Sequence, residues 1–144
     1  MQLACTLLLS STALSACPEK KLSSFESALA VIVENECKAL KMGGKKMEKS
    51  QLVAISAALA VNTALTSLEM GNDHEKGFPW IHTNTEFLGE DGIAALVPAL
   101  QQNKGIRVLK FGTNWFRTDM AGEAIGQIMQ ANKAITKLDL RQPL

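Results

Sequence analysis

The sequence predicts an α/β solenoid arc, with short parallel strands on its concave face and helices on its convex face. Three observations carry that prediction. One segment recurs: Asn62-Thr-Ala-Leu65-Thr-Ser-Leu68-Glu-Met70-Gly71 returns as Asn103-Lys-Gly-Ile106-Arg-Val-Leu109-Lys-Phe111-Gly112, and again as Asn132-Lys-Ala-Ile135-Thr-Lys-Leu138-Asp-Leu140. Its first apolar positions, Cys37, Leu65, Ile106 and Ile135, are 28, 41 and 29 residues apart. Apolar residues also stand seven and three positions before Asn62, Asn103 and Asn132, on one face of a helix. A period near 28 marks an array in which no unit buries its apolar side alone.

Composition narrows the function. With 15 basic and 14 acidic residues the net charge is +1. That balance gives no pull toward nucleic acid or an anionic membrane. The 47% apolar content suits a folded chain, and no stretch reaches the ~20 apolar residues of a membrane span. Three cysteines at wide spacing, Cys5, Cys17 and Cys37, predict free buried thiols rather than a disulfide framework.

Two readings stand for residues 1–22. Residues 1–18 carry no charge and are mostly apolar from Leu3 to Leu14, as in a secretory signal. Leu14-Ser15-Ala16-Cys17 resembles the bacterial lipobox, in which Cys17 would carry the lipid. No Lys or Arg precedes the apolar run, however, as an export signal normally requires. Alternatively, stepping back 28 residues from Cys37, Leu40 and Met42 makes Leu9 to Cys17 a degenerate first repeat. The expected location is the cytoplasm, or secreted or lipid-anchored if residues 1–17 are a signal.

From residue 23 the array follows in order. Asn35-Glu-Cys37-Lys-Ala-Leu40-Lys-Met42-Gly43 is a weaker copy of the repeat, one residue short. Leu52, Ile55 and Leu59 then form a helical stripe ending at Asn62. Alternation at Leu68 and Met70 predicts a strand. The longer spacing that follows places an insertion at residues 73–87, where Gly77 and Pro79 break any helix. Leu88-Gly-Glu-Asp-Gly92 restores the phase. Ile93, Leu96, Val97 and Leu100 make the next helix, and Leu109 and Phe111 the next strand. Ile125, Ile128 and Met129 repeat the helix before Asn132, and Leu138 and Leu140 the strand. Each Asn is expected to end its helix in the left-handed conformation. The chain stops soon after the last strand, at Gln142-Pro143-Leu144. With no polar cap there, either a second subunit pairs at that edge or the chain is a fragment.

The residues Ile106-x-x-Leu109-x-Phe111-x-x-Asn114-x-Phe116 resemble the pattern of leucine-rich repeats, in the ribonuclease-inhibitor-like subclass with repeats of roughly 28–29 residues. Leu88 to Asn103 is also typical of that subclass. The resemblance covers residues 23–144. It implies that Asn114 bonds backbone groups in the loop after its strand, and that Phe116 is a core position. Lys45, Asp73 and Pro143 replace that Asn elsewhere, so those loops should be less regular. Similar repeats occur in immune receptors, GTPase activators and actin regulators.

Repeats of this kind carry no reaction chemistry, so function is expected on the surface. The strand residues that alternate with the core are Ala39 and Lys41, Ser67 and Glu69, Val108 and Lys110, and Lys137 and Asp139. The column Lys41, Glu69, Lys110, Asp139 alternates in sign. It predicts lateral ion pairs, a protein-binding face, or both. Phe78 and Trp80 in the insertion and Trp115 in the corresponding loop are candidate contact residues, or else a small local core. His74 and His82 are too few for a metal site and stand in no nucleophile motif. Gly43-Gly-Lys-Lys46 lacks phosphate-loop spacing. The expected function is therefore a non-catalytic scaffold with a protein partner and no cofactor. The alternative is a regulatory part of a larger switch protein.

Overall fold

The computed structural model describes residues 17–71, 87–111 and 119–140. Four helices alternate with four strands along these residues. They are α1 (Phe25–Glu34), β1 (Ala39–Met42), α2 (Lys49–Val61), β2 (Ser67–Met70), α3 (Gly89–Gln102), β3 (Val108–Phe111), α4 (Asp119–Ala131) and β4 (Lys137–Leu140). The strands form one parallel sheet in the order β1-β2-β3-β4. Leu40, Leu68, Leu109 and Leu138 are register partners in a single row. Met42, Met70 and Phe111 make the next core row, with Leu140 as the exposed register partner at its end.

Strand and helix faces meet in one continuous core. Leu65, Leu68, Met70, Ile93, Leu96, Leu100, Ile106, Leu109 and Phe111 are all fully buried. Each such side chain contributes about 1.5–3 kcal/mol on burial. The helices pack on one another in chain order, α1 on α2, α2 on α3 and α3 on α4. At the last strand the cover thins: Leu138 is only partly buried and Leu140 is 44% exposed. No helix among the described residues is long and apolar enough to cross a membrane.

Local signals set the helix ends. The Ser24 hydroxyl oxygen caps α1 by accepting from the Ser27 amide (3.3 Å). At α2 the Glu48 amide donates to Gln51 Oε1 (2.9 Å). Asn35 ends α1 in the left-handed region (φ 59°, ψ 38°), as the sequence predicts. Asn62 and Asn103 do not: both are extended (φ −71°, ψ 131° and φ −64°, ψ 128°).

Their side chains explain the difference. Asn62, Asn103 and Asn132 are buried and link successive repeats. Asn62 Nδ2 donates to the Ile32 carbonyl (2.8 Å), and Asn62 Oδ1 accepts from the Leu65 amide (2.8 Å). Asn103 Nδ2 donates to the carbonyls of Leu59 (2.8 Å) and Asn62 (2.9 Å). Its Oδ1 accepts from the amides of Gly105 and Ile106, both at 2.9 Å. Asn132 Nδ2 reaches Leu100 O (2.6 Å) and Asn103 O (2.7 Å). Helix-end carbonyls otherwise left without partners are satisfied in this way, each by the next repeat.

The insertion enters and leaves at fixed points. The Gly71 amide donates to Met42 O (3.0 Å), and the Met47 amide donates to Phe87 O (2.9 Å). Phe87 itself is buried. The first junction therefore rests on the last residue of β1 and the second on the turn that follows it.

The N-terminal segment corrects two expectations. Cys17 and Cys37 form a disulfide, so Cys37 is not a free thiol, although it is buried at its core position. Leu22 makes a parallel bridge to Met42, giving its amide to Lys41 O (2.9 Å) while its carbonyl accepts from the Gly43 amide (2.9 Å). Cys17 lies five residues before Leu22, and Cys37 five before Met42. A parallel course thus brings the two sulfurs level, with Cα atoms 5.4 Å apart. The place beside Met42 that a 28-residue step assigns to Leu14 is taken by Leu22; Leu9 to Leu14 lie outside the described residues. With its sulfur in the disulfide, Cys17 has none to give to a lipid thioether.

Candidate protein-binding face

The strand face is built by alternation. Core residues point to the helices, so their neighbours point away. Register pairing places Lys41 beside Glu69, Glu69 beside Lys110 and Lys110 beside Asp139. A second row runs Ala39, Ser67, Val108 and Lys137. Parallel neighbours stand about 4.8 Å apart, so the four charges form a compact column. Lys41 and Lys137 are exposed, while Glu69, Lys110 and Asp139 are half-buried.

Glu69 does not find its salt bridge in that column. Lys21 Nζ approaches Glu69 Oε1 at 3.6 Å and donates to the Gly71 carbonyl at 2.7 Å. Two acceptors at one place favour Lys21 over the lateral neighbours Lys41 and Lys110. Both Lys21 and Glu69 side chains are 19% exposed. Lys21 is the residue of this face that sequence reasoning missed. It precedes Leu22, so it extends the column by one position at the β1 edge. Its signal was the 20-residue offset from Lys41, hidden by the search for 28.

A ladder of hydrogen bonds fixes the entries to β2, β3 and β4. The amides of Thr66 and Ser67 both donate to Lys38 O (2.7 and 3.0 Å). Arg107 and Val108 donate to Thr66 O (2.8 and 3.0 Å), and Thr136 and Lys137 to Arg107 O (2.8 and 3.1 Å). Exposed Asn35 accepts through Oδ1 from the amides of Thr63 (2.8 Å) and Ala64 (2.9 Å). The face is therefore held by its backbone.

Beyond the far end of β1 lies a cleft of about 470 Å³. Leu22, Phe25, Met42, Met47 and Phe87 give it an apolar floor. Glu26, Lys45, Lys46 and Glu48 stand on its walls, two charges of each sign. The Glu26 carboxyl is held below its ordinary pKa, first by a backbone hydrogen bond and then by the Ser24 hydroxyl. The Ser24 hydroxyl donates to Glu26 Oε2 (3.0 Å) on the cleft wall. Among the described residues no group of three His, Cys, Asp or Glu side chains could hold a metal ion. Phe78, Trp80, Trp115, His74, His82, Asn114 and Phe116 lie outside the described residues, as do Asp73 and Pro143. Lys45 is exposed in the turn after β1.

Among solved structures the chain is similar to one described as Leiomodin-1 Actin-Binding Site 2 (ABS2). The identity is 19% and the TM-score 0.62, over 89% of this chain and 74% of that one. At that identity the likeness shows the shared α/β repeat fold. No protein-family model and no curated protein matches the sequence.

Proposed function

We propose that this chain is a non-catalytic scaffold that docks a protein partner across its strand face. In this reading Lys41, Glu69, Lys110 and Asp139 are contact residues, and Phe78, Trp80 and Trp115 add apolar anchors. The arc is a leucine-rich repeat of the ribonuclease-inhibitor-like subclass, occupying residues 23–144. The observation that carries the reading is the in-register column of alternating charge on a face fixed by backbone hydrogen bonds. A rigid face loses little conformational entropy on docking. An alternating column selects a partner of complementary pattern and disfavours a polyanion such as nucleic acid.

A second reading, an actin regulator or a part of one, is favoured by the likeness to the leiomodin actin-binding region.

One experiment addresses both. The intact chain and a Lys41→Ala/Lys110→Ala variant of matched melting temperature are titrated into labelled monomeric actin. In parallel they are compared by quantitative cross-linking in extract of the source cells. The scaffold reading expects a defined partner whose capture falls about tenfold or more in the variant. Equal capture by both proteins would remove the strand face from the proposal. Saturable binding to actin would promote the second reading.

A further inference from the structure

We propose that the Cys17–Cys37 disulfide is a redox-released strap: while oxidised, it holds residues 17–24 over the β1 edge and keeps Lys21 on the strand face. Three independent contacts define the strap. The disulfide fixes one end, and the Leu22–Met42 bridge pairs the middle with β1. Lys21 reaches over β1 to Glu69 and the Gly71 carbonyl. Leu22 and Ser23 also line the cleft, together with Met42, Met47 and Phe87. Releasing the strap would free the Lys41 carbonyl and the Gly43 amide, open the cleft on one side and leave Glu69 without Lys21.

The contacts other than the disulfide are short-range and lie at the sheet edge. Besides it the segment is held by the Leu22–Met42 bridge, the partly buried Leu22 side chain, and Lys21 bound to Glu69 and the Gly71 carbonyl; a surface ion pair alone is weak. A crosslink of this span raises the docked-to-released ratio by roughly a hundredfold through loop-closure entropy. The rest of the array does not depend on the strap. β2, β3 and β4 pair with one another, and their core rows lie beyond its reach. Release is therefore expected to be local.

The chemistry balances with a dithiol reductant. Its thiolate attacks the sulfur of Cys17, which belongs to an exposed residue, and the S–S bond breaks with Cys37 as leaving thiolate. The second thiol of the reductant then displaces Cys17 and closes a cyclic disulfide. Two electrons pass to the protein, and each cysteine sulfur ends with one proton. A disulfide oxidant reverses the step.

The test uses the full chain, oxidised and after dithiol reduction, with Cys17→Ser as a permanently released form. Alkylation in denaturant counts free thiols before and after reduction. Amine acylation mapped by mass spectrometry reads Lys21 against exposed Lys20, and hydrogen exchange reads the amides of Leu22 and Gly43 against those of Leu68 and Leu109. The strap predicts one alkylated cysteine before reduction and three after. It also predicts a tenfold or greater rise in Lys21 acylation and in Leu22 and Gly43 exchange, with Leu68 and Leu109 unchanged, and the same pattern in Cys17→Ser. Three free thiols at the outset, or no change at Lys21 on reduction, would overturn it. Loss of protection at Leu68 and Leu109 would overturn it too, since the bond would then be a global staple.

Discussion

Replacing Asn103 by Ala should be among the costliest changes available to this chain. The side chain is 1% exposed and makes four hydrogen bonds at 2.8 to 2.9 Å, two given to carbonyls of the preceding repeat and two accepted from its own turn. Ala removes all four partners and leaves too little room for water to replace each one. A net value of about 1 kcal/mol per bond gives roughly 4 kcal/mol, and more where a buried group stays unpaired. That is a large share of the roughly 5–15 kcal/mol by which a domain is stable. Urea unfolding followed by circular dichroism checks it, the midpoint falling while the slope holds. Asn35→Ala is the internal control. Its side chain is exposed, and water can take over its bonds to Thr63 and Ala64, so with the left-handed φ of 59° that Ala adopts less readily about 1–2 kcal/mol is expected. Asn103→Asp sharpens the test by aiming a buried carboxylate at two carbonyls. Burial raises that carboxyl's pKa in the folded state, so the folded form holds more protons than the unfolded one and the variant loses stability as pH rises. A loss below about 1 kcal/mol for Asn103→Ala would refute the role given to this asparagine.

Glycines give a test of opposite signs. A Cβ on Gly105 would stand 2.9 Å from the Leu65 carbonyl oxygen and 3.1 Å from that of Thr63, both backbone atoms, so Gly105→Ala should cost about 1–3 kcal/mol. A Cβ on Gly122 in α4 meets nothing within 4 Å, and Gly122→Ala should add about 0.5–1 kcal/mol, both read as shifts in thermal midpoint. Ser24→Ala should cost about 1 kcal/mol at neutral pH by removing the cap of α1. Because the folded pKa of Glu26 is depressed, its own contribution is present above the unfolded pKa and disappears as pH falls through the folded one. The gap between wild type and Ser24→Ala should therefore narrow in acid, as denaturation profiles across pH would show.

The row Leu40, Leu68, Leu109, Leu138 was legible because two-residue alternation permits one register only. A slip of one residue would turn every core side chain to solvent. The alternating charges follow from the same register. The asparagines were legible as positions but not as roles. A local cap and a link between repeats leave the same residue at a helix end, and only the stacking of helices brings the Leu59 carbonyl to Asn103. Cys17, Lys21 and Leu22 were illegible for a different reason. They sit 20 residues ahead of their structural counterparts, and a search tuned to 28 steps over them. Lys21 then captured the carboxylate that lateral pairing would have assigned to Lys41 or Lys110.

The two junctions of the insertion carry a last consequence. Gly71 is tied to the end of β1 and Phe87 to the turn after it, and Leu68 and Leu109 meet in register across 41 residues of sequence. The frame thus works as a socket with fixed terminals. Segments of other lengths could be spliced between them while the neighbouring coils keep their alignment, so that recognition can be retailored without solving the folding problem again.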